Sequence, residues 1–364
     1  MNNRPIRSKL LATVAGIAIL TAAAASSPVQ AAETLRLTVL SGYPTGLSWV
    51  AGFLEAFKPT VKAELAKTGN YDIDWNEAFS GTVSKPREEL EAVSAGLGEV
   101  GLVGTVFTPD KLPLYNFPFV TPFSTKDMAV VADAYVNLEK TFPEFAEGWA
   151  KFNQVSLSPA SVLDNYILFT SRKITQSSDL QGMKIGAAGV NLPWVTSVGA
   201  TGVPGALPNF YLGLETSLFE GVIIYADAAA KFKLCEPAPY ILDAGMGAVN
   251  GYSLTVNQDA WDSMPSEVRN AMAKGAVAWR EKIMDLVIEG NKAGLEICKT
   301  QYGTEVTVVS EEDRKKWAAA LPNLAKTWAE RADGQGLPGT EVLKAYMGSL
   351  RAANQPIARD WDRE

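Results

Sequence analysis

The sequence predicts an α/β protein folded as two lobes, and three observations carry that expectation. First, strand and helix alternate between residues 179 and 230, a βαβ pattern that builds a parallel sheet. Second, the chain has 364 residues, more than the roughly 250–300 at which a single core stops growing. Third, residues 265–299 form a nearly unbroken helical pattern with small residues at Ala271, Ala276 and Ala278. At 1.5 Å per residue such a helix would span about 50 Å, enough to brace both lobes.

In order, the elements read as follows. Residues 35–40 alternate as a first strand, and 41–46 turn through Gly42, Pro44 and Gly46. A helix over 47–57 places Leu47, Val50, Phe53, Leu54 and Phe57 on one face. Residues 71–75 form a second strand running towards Phe79. Pro86 then suits a first helical turn, and Glu88, Glu89 and Glu91 complement the dipole of that helix. A third strand covers 99–104. The stretch 108–123, rich in proline and aromatics, reads as an ordered packing loop rather than a docking surface. Residues 128–149 are helical, and 155–157 and 166–170 are strands. The stretch 182–221 supplies strand, helix, strand and a glycine-ended amphipathic helix, and the C-terminal segment is helical through Trp317, Leu321, Leu324 and Trp328. In parallel sheets ligands sit at the carboxyl ends of strands beside helix N-termini, and the loop 186–191 lies at such a place.

Composition excludes several kinds of chemistry. The chain has no histidine, so Ser-His-Asp and Cys-His mechanisms and histidine metal ligands are absent. Its two cysteines, Cys235 and Cys298, are too few and too far apart for a cysteine zinc site or a Cys-x-x-Cys redox pair; two free buried thiols are the favoured reading, and a disulfide, which needs close Cα atoms, is the alternative. There is no nucleophile elbow, metal cluster or cofactor motif, so no catalytic residue, metal or cofactor is expected. A net charge of −7 argues against nucleic acid and anionic membrane as partners. Arg4, Arg7 and Lys9, an apolar run over 10–25 and Val29-Gln30-Ala31 read as a secretory signal peptide over 1–31. The apolar run falls short of the roughly 20 residues a membrane span needs.

Several short motifs carry a resemblance. They are Asp179-Leu180-Gln181-Gly182-Met183-Lys184-Ile185, then Gly199-Ala200 and Val203-Pro204, then Tyr211 with Leu214, Thr216 and Glu220-Gly221. Phe79-Ser80-Gly81, the run 87–93, Lys231-Phe232-Lys233 and 264–268 extend it along nearly the whole chain. In order and spacing they resemble the solute-binding proteins of TRAP (tripartite ATP-independent periplasmic) transporters. The resemblance implies a type II-like, two-lobed periplasmic binding protein. The chain would cross between lobes near Leu163, Val249 and Glu289. Residues 32–163 and 250–289 would then form one lobe, and 164–249 with 290–364 the other. A hinge would close the lobes on a solute. A soluble periplasmic monomer that hands its cargo to TRAP integral membrane subunits is the implied role.

The family's arginine after Lys-Ile, which pairs with a ligand carboxylate, falls on Gly186, and a second falls on Tyr166. The asparagine after Glu-Gly falls near Ile224 or Tyr225. The carboxylate clamp is therefore missing. The candidate ligand-binding residues are Tyr43, Phe79, Ser80, Lys85, Arg87, Tyr166, Gly186, Asn191, Trp194, Tyr225 and Asp227. Tyr43 sits in the first strand-to-helix turn, and Phe79 and Ser80 end a strand facing the cleft. Tyr166 can both stack and hydrogen-bond. Trp194 is either a pocket wall or a core anchor, and Asp227 either a cation partner or a helix cap. Lys85 and Arg87 are the nearest basic groups to replace the lost arginines, although a charge there is more often a solvated helix start. Asn191 and the helix amides after Gly189 offer an anion site without arginine.

Two ligand classes follow. The favoured one is an organic acid, aromatic acids included, held by helix amides, Tyr166 and either Lys85 or Arg87. The alternative is an amine or zwitterion in an aromatic cage of Trp194, Tyr166, Tyr225 and Tyr43, with Asp227 or Glu220 as counter-charge. A ligand-loaded sensor subunit that contacts a receptor instead of a transporter is a further alternative.

Overall fold

The structure is a computed structural model and describes residues 32–364. The expected signal peptide lies outside the described residues. Thirteen strands form among them: β1 (Glu33–Leu40), β2 (Tyr71–Ala78), β3 (Val100–Gly104), β4 (Gln154–Ser156), β5 (Val162–Leu163), β6 (Ile167–Thr170), β7 (Lys184–Ala187), β8 (Thr201–Pro204), β9 (Gly221–Ile224), β10 (Tyr240–Asp243), β11 (Val249–Asn250), β12 (Tyr252–Asn257) and β13 (Glu305–Val308).

They make two main sheets. One has the order β2-β1-β3-β12-β4, with β1 parallel to both β2 and β3 and β12 antiparallel to its neighbours. The other has the order β13-β10-β6-β9-β7-β8, with β7, β8 and β9 running parallel as the βαβ pattern requires. The chain passes from the first sheet to the second through β5 and returns through β11. These two strands pair antiparallel as Val249↔Leu163 and Asn250↔Val162. The crossing is therefore a short two-stranded ribbon.

The helix Ser266–Tyr302 runs 37 residues, about 55 Å at 1.5 Å per residue. Its N-terminal half packs on the helical run over 48–65, and Trp279 Nε1 donates to the carbonyl of Trp49 at 2.9 Å. Its C-terminal half packs on the helix Ala226–Lys231. Glycines set both approaches. A Cβ at Gly275 would lie 2.7 Å from Val61, and one at Gly294 only 2.6 Å from the carbonyl of Ala226. No helix among the described residues is long and apolar enough to cross a membrane.

The proline-aromatic stretch over 108–123 is a packing segment. Phe117, Phe119 and Phe123 are fully buried. Indole N–H groups from elsewhere fasten its backbone: Trp328 to Pro113, Trp194 to Phe119 and Trp361 to Pro122, each at 2.9 Å. A buried segment without sheet partners must satisfy its carbonyls with side chains, and the tryptophans do so.

One reading is corrected here. Cys235 and Cys298 are not free thiols: they form a disulfide with Cα atoms 5.5 Å apart, tying the loop after the helix Ala226–Lys231 to the end of the long helix. Glu89 stands in the first turn of the helix Glu89–Ser94, as expected. It is buried and accepts from Ser41 Oγ (3.2 Å), Gly42 N (2.8 Å) and Gly104 N (3.2 Å), joining the ends of β1 and β3. Burial pushes its carboxyl up to about 8.

Candidate functional site

A cavity lies between the two sheets. The carboxyl ends of five strands deliver residues to it: Tyr43 after β1, Phe107 after β3, Ala188 after β7, Gly205 after β8 and Tyr225 after β9. This is where ligands bind in parallel α/β sheets. The crossing strands and their flanks add Leu163, Tyr166, Asn250 and Tyr252.

The walls are aromatic. Trp49 stacks on Tyr252 with centroids 3.8 Å apart and planes at 15°, and Tyr43 meets Trp49 edge-on at 5.0 Å. Tyr166 stacks on Tyr225 at 5.8 Å. Burial raises the pKa of all four tyrosines, Tyr43, Tyr166, Tyr225 and Tyr252, so their hydroxyls stay protonated and can donate. No charged side chain lines the cavity. Its volume is about 40 Å³, room for a water or a single functional group, so a larger solute requires the sheets to part.

Arg87 closes the rim. Its Nη2 donates to the carbonyls of Ala188 (3.1 Å) and Gly205 (3.2 Å), at the ends of β7 and β8, across the cleft from its own segment. Its guanidinium carbon lies 4.9 Å from the Phe107 ring centroid. Gly42 makes this placement possible: a Cβ there would lie 2.3 Å from Pro86 N, so only glycine lets the 85–87 segment sit against the turn after β1. Both bonds use Nη2, which leaves the Nε and Nη1 donors of the fork without a partner among the described residues.

Of the candidate residues, the structure brings Tyr43, Tyr166 and Tyr225 into the cavity wall and Arg87 to its rim. It places the others elsewhere. Phe79 packs in the core of the first sheet, edge-on to Phe53. Ser80 holds a left-handed turn (φ 59°), its N–H donating to the carbonyl of Tyr43 while its side chain is exposed. Lys85 is exposed and touches Glu88 through its backbone. A Cβ at Gly186 would meet the Phe219 ring at 3.0 Å, so that position faces a buried ring. Asn191 is fully buried, with no partner for its amide among the described residues, outside the cavity wall.

Trp194 is a core anchor. It is buried, donates to Phe119, and its carbonyl accepts from Trp317 Nε1 at 2.7 Å. Asp227 pairs with Lys231 (2.8 Å) and accepts from Ser48 Oγ (3.1 Å), joining the helix Ala226–Lys231 to the start of the first long helical run. Glu220 accepts from the backbone N–H of Lys184 at 3.0 Å. Both proposed counter-charges are engaged in bonds of their own, and neither side chain lines the cavity. The residues that sequence reasoning did not select are Trp49, Phe107, Phe210, Asn250 and Tyr252. For Asn250 and Tyr252 a signal existed: they follow Val249, where the crossing was expected.

Two α/β sheets joined by crossing strands, with a cavity at their strand ends, make the architecture of a two-lobed binding protein. The chain belongs to the TRAP solute-binding proteins: residues 47–331 match the family described as bacterial extracellular solute-binding protein, family 7. The family match makes it a periplasmic solute-binding receptor, a non-enzymatic transport component. The C4-dicarboxylate-binding periplasmic protein DctP of Rhodobacter capsulatus is 23% identical over 267 residues, 72% of this chain and 78% of its own. Among solved structures, a marine metagenome TRAP protein specific for aromatic acid ligands, in complex with metahydroxyphenylacetate, superimposes with a TM-score of 0.76. That match has 18% identity and covers 87% of this chain and 99% of the other. A second marine metagenome TRAP protein, specific for pyroglutamate, gives 0.75 at 16% identity, covering 87% and 99%. At such identities the structural likeness speaks for the fold.

Proposed function

We propose that this protein captures a small organic acid with a flat, aromatic body and delivers it to TRAP membrane subunits for import. The observation that carries the proposal is a cation, Arg87, on the rim of a cavity lined by aromatic and aliphatic side chains with no charged one among them. An aromatic body fits between rings that prefer offset or edge-on partners. A carboxylate at the rim meets the unused donors of the Arg87 fork in a charge-assisted pair. The named ligands of the relatives above are acids, which supports the same direction. The amine alternative loses support because Asp227 and Glu220 are occupied elsewhere.

In this reading residues 32–163 with 250–289 move as one lobe and 164–249 with 290–364 as the other, the β5–β11 ribbon twisting between them. Arg87 releases Ala188 and Gly205 as the lobes open and re-engages them on closure. The mature protein begins after the signal peptide, works in the periplasm and is a monomer. Calorimetric titration against aromatic monocarboxylates, aliphatic dicarboxylates and aromatic amines tests the proposal. Tight binding is expected from the first group, and binding confined to the amines would overturn it.

A further inference from the structure

Three residues of the cavity wall each carry a buried polar atom with no hydrogen-bond partner among the described residues: Trp49 Nε1, Tyr225 Oη and Asn250 Oδ1. Buried polar groups are normally paired, so three orphans around one small space describe what that space is built to receive. The side chains are held in place. Trp49 is clamped by its stack on Tyr252, Tyr225 by its stack on Tyr166, and Asn250 by donation from Nδ2 to Thr105 Oγ1 at 2.6 Å. That last bond turns Oδ1 into the free acceptor of the amide.

The wall therefore offers one obligate donor (the indole N–H), one obligate acceptor (the amide oxygen) and one hydroxyl that can be either. A carboxylate or carbonyl only accepts and leaves Asn250 unpaired. An ammonium only donates and leaves the indole unpaired. A bare C–H leaves all three. A solute hydroxyl, taking the place a water would fill, can donate its one hydrogen to Asn250 Oδ1 and accept from Trp49 and from Tyr225 with its two lone pairs. The volume of about 40 Å³ is the size of such a group.

We propose that the solute is a ring-hydroxylated aromatic monocarboxylate, its hydroxyl buried among Trp49, Tyr225 and Asn250 and its carboxylate at the rim by Arg87. The carboxylate end rests on the reading of the preceding subsection; the hydroxyl end rests on the three orphan atoms alone. Sites that hydrogen-bond a hydroxyl discriminate strongly against the analogue lacking it, because their own groups are then left unpaired.

The test is titration of the full mature protein with metahydroxyphenylacetate and with phenylacetate, repeated on Tyr225→Phe. Phenylalanine keeps the ring and removes only an atom that has no protein partner, so folding is not at stake. The hydroxylated acid is expected to bind at least tenfold more tightly to the wild type. That advantage should shrink at least threefold in Tyr225→Phe. Equal affinity of the wild type for the two acids, or an undiminished advantage in the variant, would overturn the buried hydroxyl while leaving the acid reading in place. Binding of neither acid, alongside binding of an uncharged or amine-bearing aromatic, would overturn the acid reading itself.

Discussion

Replacing Arg87 with glutamine removes a charge from the rim and two hydrogen bonds across it, and the geometry assigns different consequences to each loss. The bonds to Ala188 and Gly205 exist only while the sheets face each other, so their loss disfavours closure whatever the ligand. Hydrogen bonds from a charged donor contribute roughly 1.5–3 kcal/mol when sheltered. Arg87 is exposed, so the lower part of that range applies to each bond, further reduced by solvent screening. The charge itself matters only to a carboxylate. We expect Arg87→Gln to lower affinity for an aromatic carboxylate by roughly ten- to a hundredfold, at about 1.4 kcal/mol per decade. The affinity for the matching primary amide should fall only a few-fold. Arg87→Lys should fall between, since lysine keeps the charge without the planar fork. Urea stability should change by less than about 0.5 kcal/mol, as for most exposed substitutions. Calorimetry on the acid and amide pair, with melts as control, separates these effects. A variant that keeps its full preference for the acid would refute the assignment of Arg87 to the carboxylate.

Other outcomes follow from the described contacts. Replacing both Cys235 and Cys298 by serine removes a cross-link over 63 residues of sequence, which the chain-entropy relation values at about 4 kcal/mol. Urea melts would register that loss, and finding two free thiols in unreduced, denatured wild type would show the bond absent. Trp194→Ala should cost about 3–5 kcal/mol of stability, because it empties a buried site and orphans the Phe119 carbonyl. Its ligand affinity should hold once the folded fraction is corrected for, and a large loss of affinity at full stability would put Trp194 in the pocket after all. Glu89, raised to about 8 from its ordinary 4.5, holds a proton in the folded state that the unfolded chain gives up. Its contribution therefore falls as pH rises through the window from about 4.5 to 8, by up to about 1.4 kcal/mol per pH unit. Melts at pH 5 and pH 8 should show that slope in the wild type and a shallower one in Glu89→Gln; identical slopes would mean Glu89 is already ionised in the fold.

What could be read ahead of the structure depended on how local its cause was. Strands β7, β8 and β9 and the helices between them are punctuated by Gly182, Gly189, Gly199 and Pro204, and local chemistry is enough to show them. Tyr43, Tyr166 and Tyr225 were legible as wall residues because each stands next to a strand end or a crossing. The ribbon of β5 and β11 has two residues a strand, too short for any periodicity, and with it went Asn250 and Tyr252. The disulfide, the Ser48–Asp227 bond and the clamp on Trp194 join residues at least 63 apart in sequence, and nothing in the neighbourhood of any one of them announces its partner.

Gly186 shows how an absence at one position carries both a chemical and a spatial reading. Without a side chain there, the arginine expected from the TRAP resemblance is missing, which opened the ligand class to question. The vacated volume, however, is not left to the ligand. Phe219, one strand over, packs within 3.0 Å of where a Cβ would stand, and is itself buried against Phe210. The wall behind β7 is thereby apolar, and the cation that reaches the ends of β7 and β8 comes from the other side of the cleft, on Arg87. On the proposed reading, its bonds to Ala188 and Gly205 form at closure, when Tyr43 and Trp49 on one lobe and Tyr166 and Tyr225 on the other enclose the solute between them.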